Sequence, residues 1–388
     1  MLTSTEQYII DLLKKSIIPS AATPVMPKDA DPDIISAIIC SNGILLTVYP
    51  TLMNDDSSVT AVIVDKLKNK YYQAVKQSVM QDNEGRHIQS ALSNAGLDLI
   101  ALKGWELRKL YPDITRRSMA DLDILVRNYD YKKINEVMTG LGYEGHGSSS
   151  WKHDEFSKDE ITVEMHKRLT DDSDYIQAWE RRMWANAVST SDNNQIYMMS
   201  DEDYYIFHFL HLHKDIKNGS LGLRRIADTW LYKNAYPDMD RDYLNSEFDK
   251  MDILLFVQRI EKLADDCFTN DSIDDNSQIM LKHAMNAGIY GNGKSYKLGR
   301  IASMSDGSLK SGKRKSFWTS IFLPYSRMKA QFPILEKWTV LLPFLWIKRI
   351  FNQAKKYRRN KAKLDYSDIS EEEFEQMREF FRAGGVME

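Results

Sequence analysis

The sequence predicts an α+β protein in which one small mixed sheet, with helices on one face, sits between two largely helical regions. Three observations point there. Residues 4–96 carry helical periodicity, residues 99–166 alternate short apolar strands with short helices, and the chain returns to helical periodicity from Asp201 onward.

In the first region Met1 to Ser20 is amphipathic, contains Glu6 and Asp11, and lacks the basic start, apolar centre and small-residue cleavage site of a signal peptide. It reads as a helix. Pro32 and Asp33 open a second, Asn54 to Ser57 break the chain and cap the next, and Ile63, Leu67, Tyr71 and Ala74 form one stripe of a long helix that ends at Gly96. In the middle region Leu99 to Leu102 is a short strand, Gly104 to Leu110 a helix stopped by Pro112, and Leu122 to Val126 a second strand. Tyr131 to Leu141 is a helix ending at Gly142. Trp151 to Phe156 and Ile161 to His166 are a strand pair joined by the polar turn Ser157 to Glu160. In the last region Tyr204 to Lys214, Leu221 to Lys233 and Ile253 to Cys267 are helical, while Ser305 to Ser316 reads as a Gly/Ser/Lys-rich linker. The expected division is a helical region 1–96, a core 97–200, a helical domain 201–304, and a linker with a helical, basic tail 305–388.

Of the 388 residues 43% are hydrophobic and 28% charged, an ordinary globular composition. A net charge of −3 argues against a general nucleic-acid binder, and two isolated cysteines exclude a disulfide framework or a thiolate zinc site. No apolar run reaches the roughly 20 residues needed to cross a bilayer. A cytoplasmic protein is expected.

The strand Leu122 to Val126 is preceded by Asp121 and contains Asp123. Strand alternation puts both carboxylates on one face and Leu122, Ile124 and Val126 on the other. Like charges at roughly 4 Å repel by about 4 kcal/mol at an effective dielectric near 20, so the pair calls for a cation, with Mg²⁺ the natural one. Upstream, Lys103-Gly104 forms a strand-to-helix turn where the missing Cβ would let phosphate approach the backbone. Downstream, Glu164 shares a strand face with Thr162 and His166. A third carboxylate would complete a two-metal site for in-line displacement, and His166 would reach the same place.

Lys103-Gly104, Arg117 to Val126, Gly142-Tyr143 and Val163 to His166 resemble, in order and local sequence, the signature of the uncharacterised nucleotidyltransferase family of the DNA polymerase beta-like superfamily. The resemblance continues through Leu223-Arg224 and Asp228 and weakly to Phe322-Leu323-Pro324. It implies a nucleotidyltransferase fold in which Asp121, Asp123 and Glu164 hold two Mg²⁺ ions, while Lys103, Gly104 and Arg117 handle the triphosphate of an NTP co-substrate. The implied reaction moves a nucleoside monophosphate to a hydroxyl-type acceptor and releases pyrophosphate. One position departs from the pattern. Trp105 stands where the superfamily usually has Ser, and an indole cannot donate the hydroxyl hydrogen bond, so Lys103 would substitute as a point charge. That departure motivates the alternative of an inactive, nucleotide-binding regulatory protein on the same fold.

Other signals read as structural. Gly288 to Ser295 satisfies the P-loop pattern but follows a helix, so a mobile interhelical loop is expected. His208, His211 and His213 lie among Phe207, Phe209, Leu210 and Leu212, which suits packing better than metal binding. Arg224 and Asp228, four residues apart, read as a pair that fixes helix geometry, a substrate-facing Arg224 being the alternative. The tail from Trp338 to Lys363 joins an apolar run to a basic stretch. A helix docked by its apolar side with a solvated basic face is the simpler reading, and contact of 338–363 with a membrane surface the other.

Overall fold

Each helix before the first strand starts where a short polar side chain or a backbone turn releases the chain. Thr3 and Glu6 form a capping box on α1 (Ser4–Ile17), Asp31 accepts from Asp33 N at the start of α2 (Pro32–Ser41), and Ser57 caps the 37-residue α4 (Ser58–Asn94). Between them lies α3 (Leu45–Leu52). Gly96 ends α4 at a φ of 72°, a conformation that suits glycine. The computed structural model describes residues 1–146, 152–169, 173–190, 193–325, 328–329, 332–357 and 366–387. Trp151 and the basic residues 358–363 lie outside them.

Seven strands form one mixed sheet: β1 (Leu99–Ala101), β2 (Leu122–Val126), β3 (Glu144–Gly145), β4 (His153–Lys158), β5 (Ile161–His166), β6 (Val188–Thr190) and β7 (Asn193–Met198), in the order β3-β4-β5-β2-β1-β7-β6. The one-turn α5 (Gly104–Leu107), then α6 (Tyr131–Gly140) and α7 (Asp174–Asn186), connect them. β2 runs antiparallel to β1 and parallel to β5, and its register places Asp123 directly beside Glu164. Leu122, Ile124 and Val126 turn the other way, into a core made with Ile88 and Leu92 of α4 and Ile134 and Met138 of α6. That is the layer expected from strand alternation. α7 and the β6–β7 hairpin are additions that the sequence patterns did not disclose.

On the carboxylate side, Ile100 and Leu125 join a larger core that draws on α1, α2, α3 and the later helices. These include α8 (Asp201–Lys217), α9 (Leu223–Ala235), α10 (Arg241–Lys250), α11 (Leu254–Phe268), α12 (Asp275–Ala287) and α13 (Gly293–Met304). Residues from Tyr8 to Ala383 contribute to this one core. The stretch expected as a linker folds as α14 (Leu309–Ile321). Its small residues are the reason: a Cβ on Gly312 would lie 2.6 Å from Ile301, and the buried Ser316 bonds Tyr366 Oη at 2.7 Å. Ser and Gly here permit close helix packing. Helices Leu342–Tyr357 and Glu371–Ala383 close the chain. No helix among the described residues is long and apolar enough to cross a membrane.

Candidate active site

The site forms where β2 leaves the turn after β1. Leu102 N donates to Asp123 O at 2.9 Å, which ties that turn to the carboxylate strand. Lys103 sits at φ 46°, a conformation that non-glycine residues rarely adopt, and Tyr204 Oη on α8 donates to its carbonyl at 2.6 Å. Gly104 is needed for a different reason: a Cβ would lie 2.6 Å from Arg117 Nη1 and 2.7 Å from Met119. Trp105 faces away from the carboxylates. Its ring lies on Gly85 of α4, where a Cβ would come within 1.9 Å of it, and it packs against the core behind the sheet.

Asp121, Asp123 and Glu164 each place a carboxylate oxygen within 4.8 Å of the others. Asp123 is buried and shared by two cations. Lys103 Nζ forms an ion pair with its Oδ1, and His166 Nε2 lies 2.7 Å from the same oxygen and 3.2 Å from Glu164 Oε2. Burial alone would raise the Asp123 pKa, but Lys103 and His166 hold it well below the carboxylate range. The effect on Asp121 is opposite. Burial, followed by the charge of Asp123, pushes it up to about 6. Burial would lower His166, yet its bonds to Asp123 and Glu164 raise it, which favours the imidazolium. His153 Nδ1 stands 3.6 Å from Glu164 on the far side, and His153, Glu164 and His166 form a second close group.

These donors suit a divalent ion. Three oxygens from three backbone positions are the hard ligands Mg²⁺ takes, and a carboxyl raised to about 6 by burial and by the charge of Asp123 is one whose ionised form gains from a nearby cation. The ion would share Asp123 with Lys103.

Opposite the carboxylates, α8, α9 and the loop before α13 close a cleft of about 310 Å³. Lys103, Gly104, Arg117, Asp121 and Asp123 line one wall and His211, Asp215, Arg224, Arg225, Tyr290 and Tyr296 the other, whereas Glu164 and His166 lie beyond this lining. Arg117 is held rather than free: Nε and Nη2 donate to Asp228 at 2.7 and 2.8 Å, and Tyr111 Oη donates to the same carboxylate at 2.9 Å. Arg117 and its neighbours hold Asp228 down at about 2 against the burial that would raise it.

The pairing of Arg224 with Asp228 expected from their spacing is therefore not formed. Arg224 instead donates through Nη1 to Ser118 O and Oγ, at 2.8 and 2.5 Å, and its buried Nε has no hydrogen-bond partner among the described residues. Burial, then the Arg117 charge, lowers its pKa, although the Asp228 carboxylate that Arg117 holds opposes the shift. His211 and Asp215 meet at 3.2 Å, and Arg225 donates to Asp215 at 2.5 Å. His208 bonds Thr229, and His213 lies against Phe256 with ring centres 4.9 Å apart, so the three histidines do not converge.

The P-loop-like segment is an interhelical loop, but a pinned one. Gly288 caps α12, Ile289 is buried and donates to Ser41 O at 2.9 Å, and Asn292 and Ser295 form the capping box of α13. Lys294 pairs with Glu373. What this loop and the first turn of α13 bring to the cleft is Tyr290 and Tyr296, which no spacing rule could have selected.

The family model described as uncharacterised nucleotidyltransferase matches residues 28–269, a span that holds the whole sheet, the carboxylates and both walls up to α11. The chain belongs to this nucleotidyltransferase family. Comparison with curated proteins and with solved structures returned no match. The nucleotidyltransferase match stops before Tyr290 of the loop and Tyr296 of α13, so the outer rim of the cleft is contributed by sequence outside it.

Proposed function

We propose that the protein is a Mg²⁺-dependent nucleotidyltransferase that moves a nucleoside monophosphate from an NTP to a hydroxyl-type acceptor. The observation that carries this reading is the convergence of Asp121, Asp123 and Glu164 within 4.8 Å beside a cationic cleft, in a chain of this family. The acceptor oxygen attacks the α-phosphorus, the bond from that phosphorus to the β-bridging oxygen breaks, and pyrophosphate leaves. Glu164 takes the acceptor proton: its carboxylate is ionised and lies within 4.8 Å of both aspartates, while its bond to His166, which lowers its pKa, leaves it a modest base. Bound Mg²⁺ would be held by the three carboxylates and would supply charge neutralisation at the reacting phosphoryl group.

The remaining residues position and neutralise. Lys103 and Arg117 line the same wall of the cleft as Gly104, whose missing Cβ leaves room for the Arg117 guanidinium, so both cations stand where a triphosphate would enter. Arg224 lines the cleft from α9 and brings a further guanidinium charge toward the departing pyrophosphate. Tyr290 and Tyr296 flank the remaining space with rings suited to a base or an acceptor. The binding-only alternative drew on Trp105, and that ring is placed on Gly85, outside the cleft lining.

Incubation with α-labelled NTPs and Mg²⁺ tests the reaction. Label should pass to an acceptor fraction from a cell extract and fail to do so with Asp123→Asn. Nucleotide binding without transfer to any fraction would overturn the enzyme reading in favour of a regulatory binder.

A further inference from the structure

The chain beyond the family match carries a surface of a different kind. Between Lys310 and Lys363 there are fifteen Lys or Arg residues and one acid, Glu336, in a protein whose net charge is −3. Within this basic stretch the helix Leu342–Tyr357 does not dock by its most apolar stripe, contrary to the simpler reading of the sequence. It is held by Trp346, whose Nε1 donates to Leu323 O at 3.0 Å, and by Arg349, which donates to Ser320 O and Ile321 O at 3.2 and 3.0 Å. Phe322 packs edge-on against Trp346, with ring centres 5.2 Å apart. Those contacts decide which side faces out. Val340, Phe344 and Ile347 are left 70, 67 and 53% exposed, and Ile350 continues the same stripe at three- and four-residue spacing. Trp338 stands beside it at 61%, and Trp318 on α14 is exposed next to Phe322.

We propose that this face seats the protein on an anionic lipid surface, with the helix Leu342–Tyr357 lying in the plane of the interface. The helix is 16 residues long, about 24 Å, starts next to Pro343, and carries Lys348, Arg349, Lys355 and Lys356, so it cannot cross the apolar layer. Its chemistry is split as an interfacial helix requires. Aliphatic and Phe side chains point outward to enter the acyl boundary, Trp338 and Trp318 flank them as side chains that favour the headgroup level, and Lys337 and Lys348 stand exposed among them to meet acidic headgroups. A nucleic acid would satisfy the positive charge but would offer nothing to Val340, Ile347 and Ile350. The pairing of aliphatic exposure with excess cation therefore favours lipid over polyanion.

Co-sedimentation of the full chain with phosphatidylcholine vesicles and with vesicles containing phosphatidylserine tests this. The wild type should pellet with the anionic vesicles at least about tenfold more strongly than with neutral ones, lose binding as salt rises, and show tryptophan quenching by brominated acyl chains. The triple variant Val340→Ser/Phe344→Ser/Ile347→Ser should partition at least about a hundredfold more weakly, since each buried apolar side chain is worth about tenfold, with its thermal unfolding unchanged. Absence of binding to either vesicle, equal binding by the triple variant, or a wild-type dimer that the same substitutions dissolve would each overturn the proposal. So would retention of an RNA that the triple variant loses while neither protein binds vesicles.

Discussion

Asp228→Asn isolates the electrostatic joint between the catalytic sheet and the helical wall. Asp228 is fully buried on α9, accepts from two nitrogens of the buried Arg117 and from Tyr111, and is held at about 2 against an ordinary value of 3.8. That depression corresponds to about 2–3 kcal/mol favouring the ionised carboxylate in the folded state. Removing one partner of a buried pair costs about 3–5 kcal/mol, because it also leaves the other charge uncompensated. Asn keeps the shape and one acceptor, so a loss of about 2–4 kcal/mol at neutral pH is expected. The sign with pH follows from the direction of the shift. A depressed folded pKa contributes stability that is present above 3.8 and lost as pH falls through about 2, so wild type and variant should converge in acid. Urea unfolding followed by circular dichroism at pH 7 and pH 3 reads both. Arg117→Gln/Asp228→Asn should recover at least about 1 kcal/mol relative to Asp228→Asn, since no orphan cation remains. A single variant within about 0.5 kcal/mol of wild type, or a double variant as unstable as the sum of the singles, would refute the reasoning.

Three further outcomes follow from the site. Asp121→Asn and Asp123→Asn should each weaken Mg²⁺ binding, read as Mg²⁺-dependent thermal stabilisation, by at least about tenfold; in the wild type that binding should fall as pH drops through 6, where Asp121 takes up its proton. Arg224→Gln should raise the nucleotide Kd by about tenfold or more and cost the unliganded protein about 1–3 kcal/mol for the two lost bonds to Ser118; isothermal titration and urea melts separate the two effects. Trp105→Ala should cost about 3 kcal/mol in urea melts and leave nucleotide affinity unchanged, since the ring fills the space over Gly85 rather than the cleft.

The carboxylate strand was readable because period-two alternation and the order Lys103-Gly104, Asp121/Asp123, Glu164 are properties of the chain itself. Register was the step beyond reach: Asp123 lies beside Glu164 through a parallel pairing across 41 residues that no local pattern encodes. The helical wall was hidden for the same reason. Asp228 is four residues from Arg224, and helix spacing alone suggests their pairing, but Arg117 reaches it from 111 residues away and wins by a bidentate fit. Tyr290 follows Ile289, which is anchored on Ser41 at the end of α2, and Tyr296 rides on α13, so their arrival in the cleft depends on contacts between distant parts of the chain. α14 was misread as a linker because Ser and Gly favour loops in solvent, whereas on a helix face against Ile301 they permit close approach. The β6–β7 hairpin has strands of three and six residues, the longer opening on two asparagines, too weak a pattern to stand alone.

Lys103 joins these threads, because its backbone and its side chain make opposite demands. At φ 46° a side chain costs on the order of 1–3 kcal/mol, and glycine would remove that strain. The ammonium, however, is one of two cations compensating the buried Asp123, and Asp121 stands close enough to feel it as well. Lys103→Gly should therefore relax the turn yet lower overall stability, since leaving a buried carboxylate short of a partner costs about 3 kcal/mol or more. The loss depends on the medium. A divalent ion on the three carboxylates supplies the charge the lysine withdrew and no longer competes with it for Asp123, so Mg²⁺ should stabilise Lys103→Gly more than wild type, while nucleotide affinity falls with the lost phosphate contact. Thermal melts in EDTA and in Mg²⁺ measure this directly. A variant that is stabilised in EDTA would show that the lysine does not compensate the buried Asp123, and one that gains no more from Mg²⁺ than wild type would show that the ion does not bind there, so that the assignment of that aspartate as a metal ligand would fail.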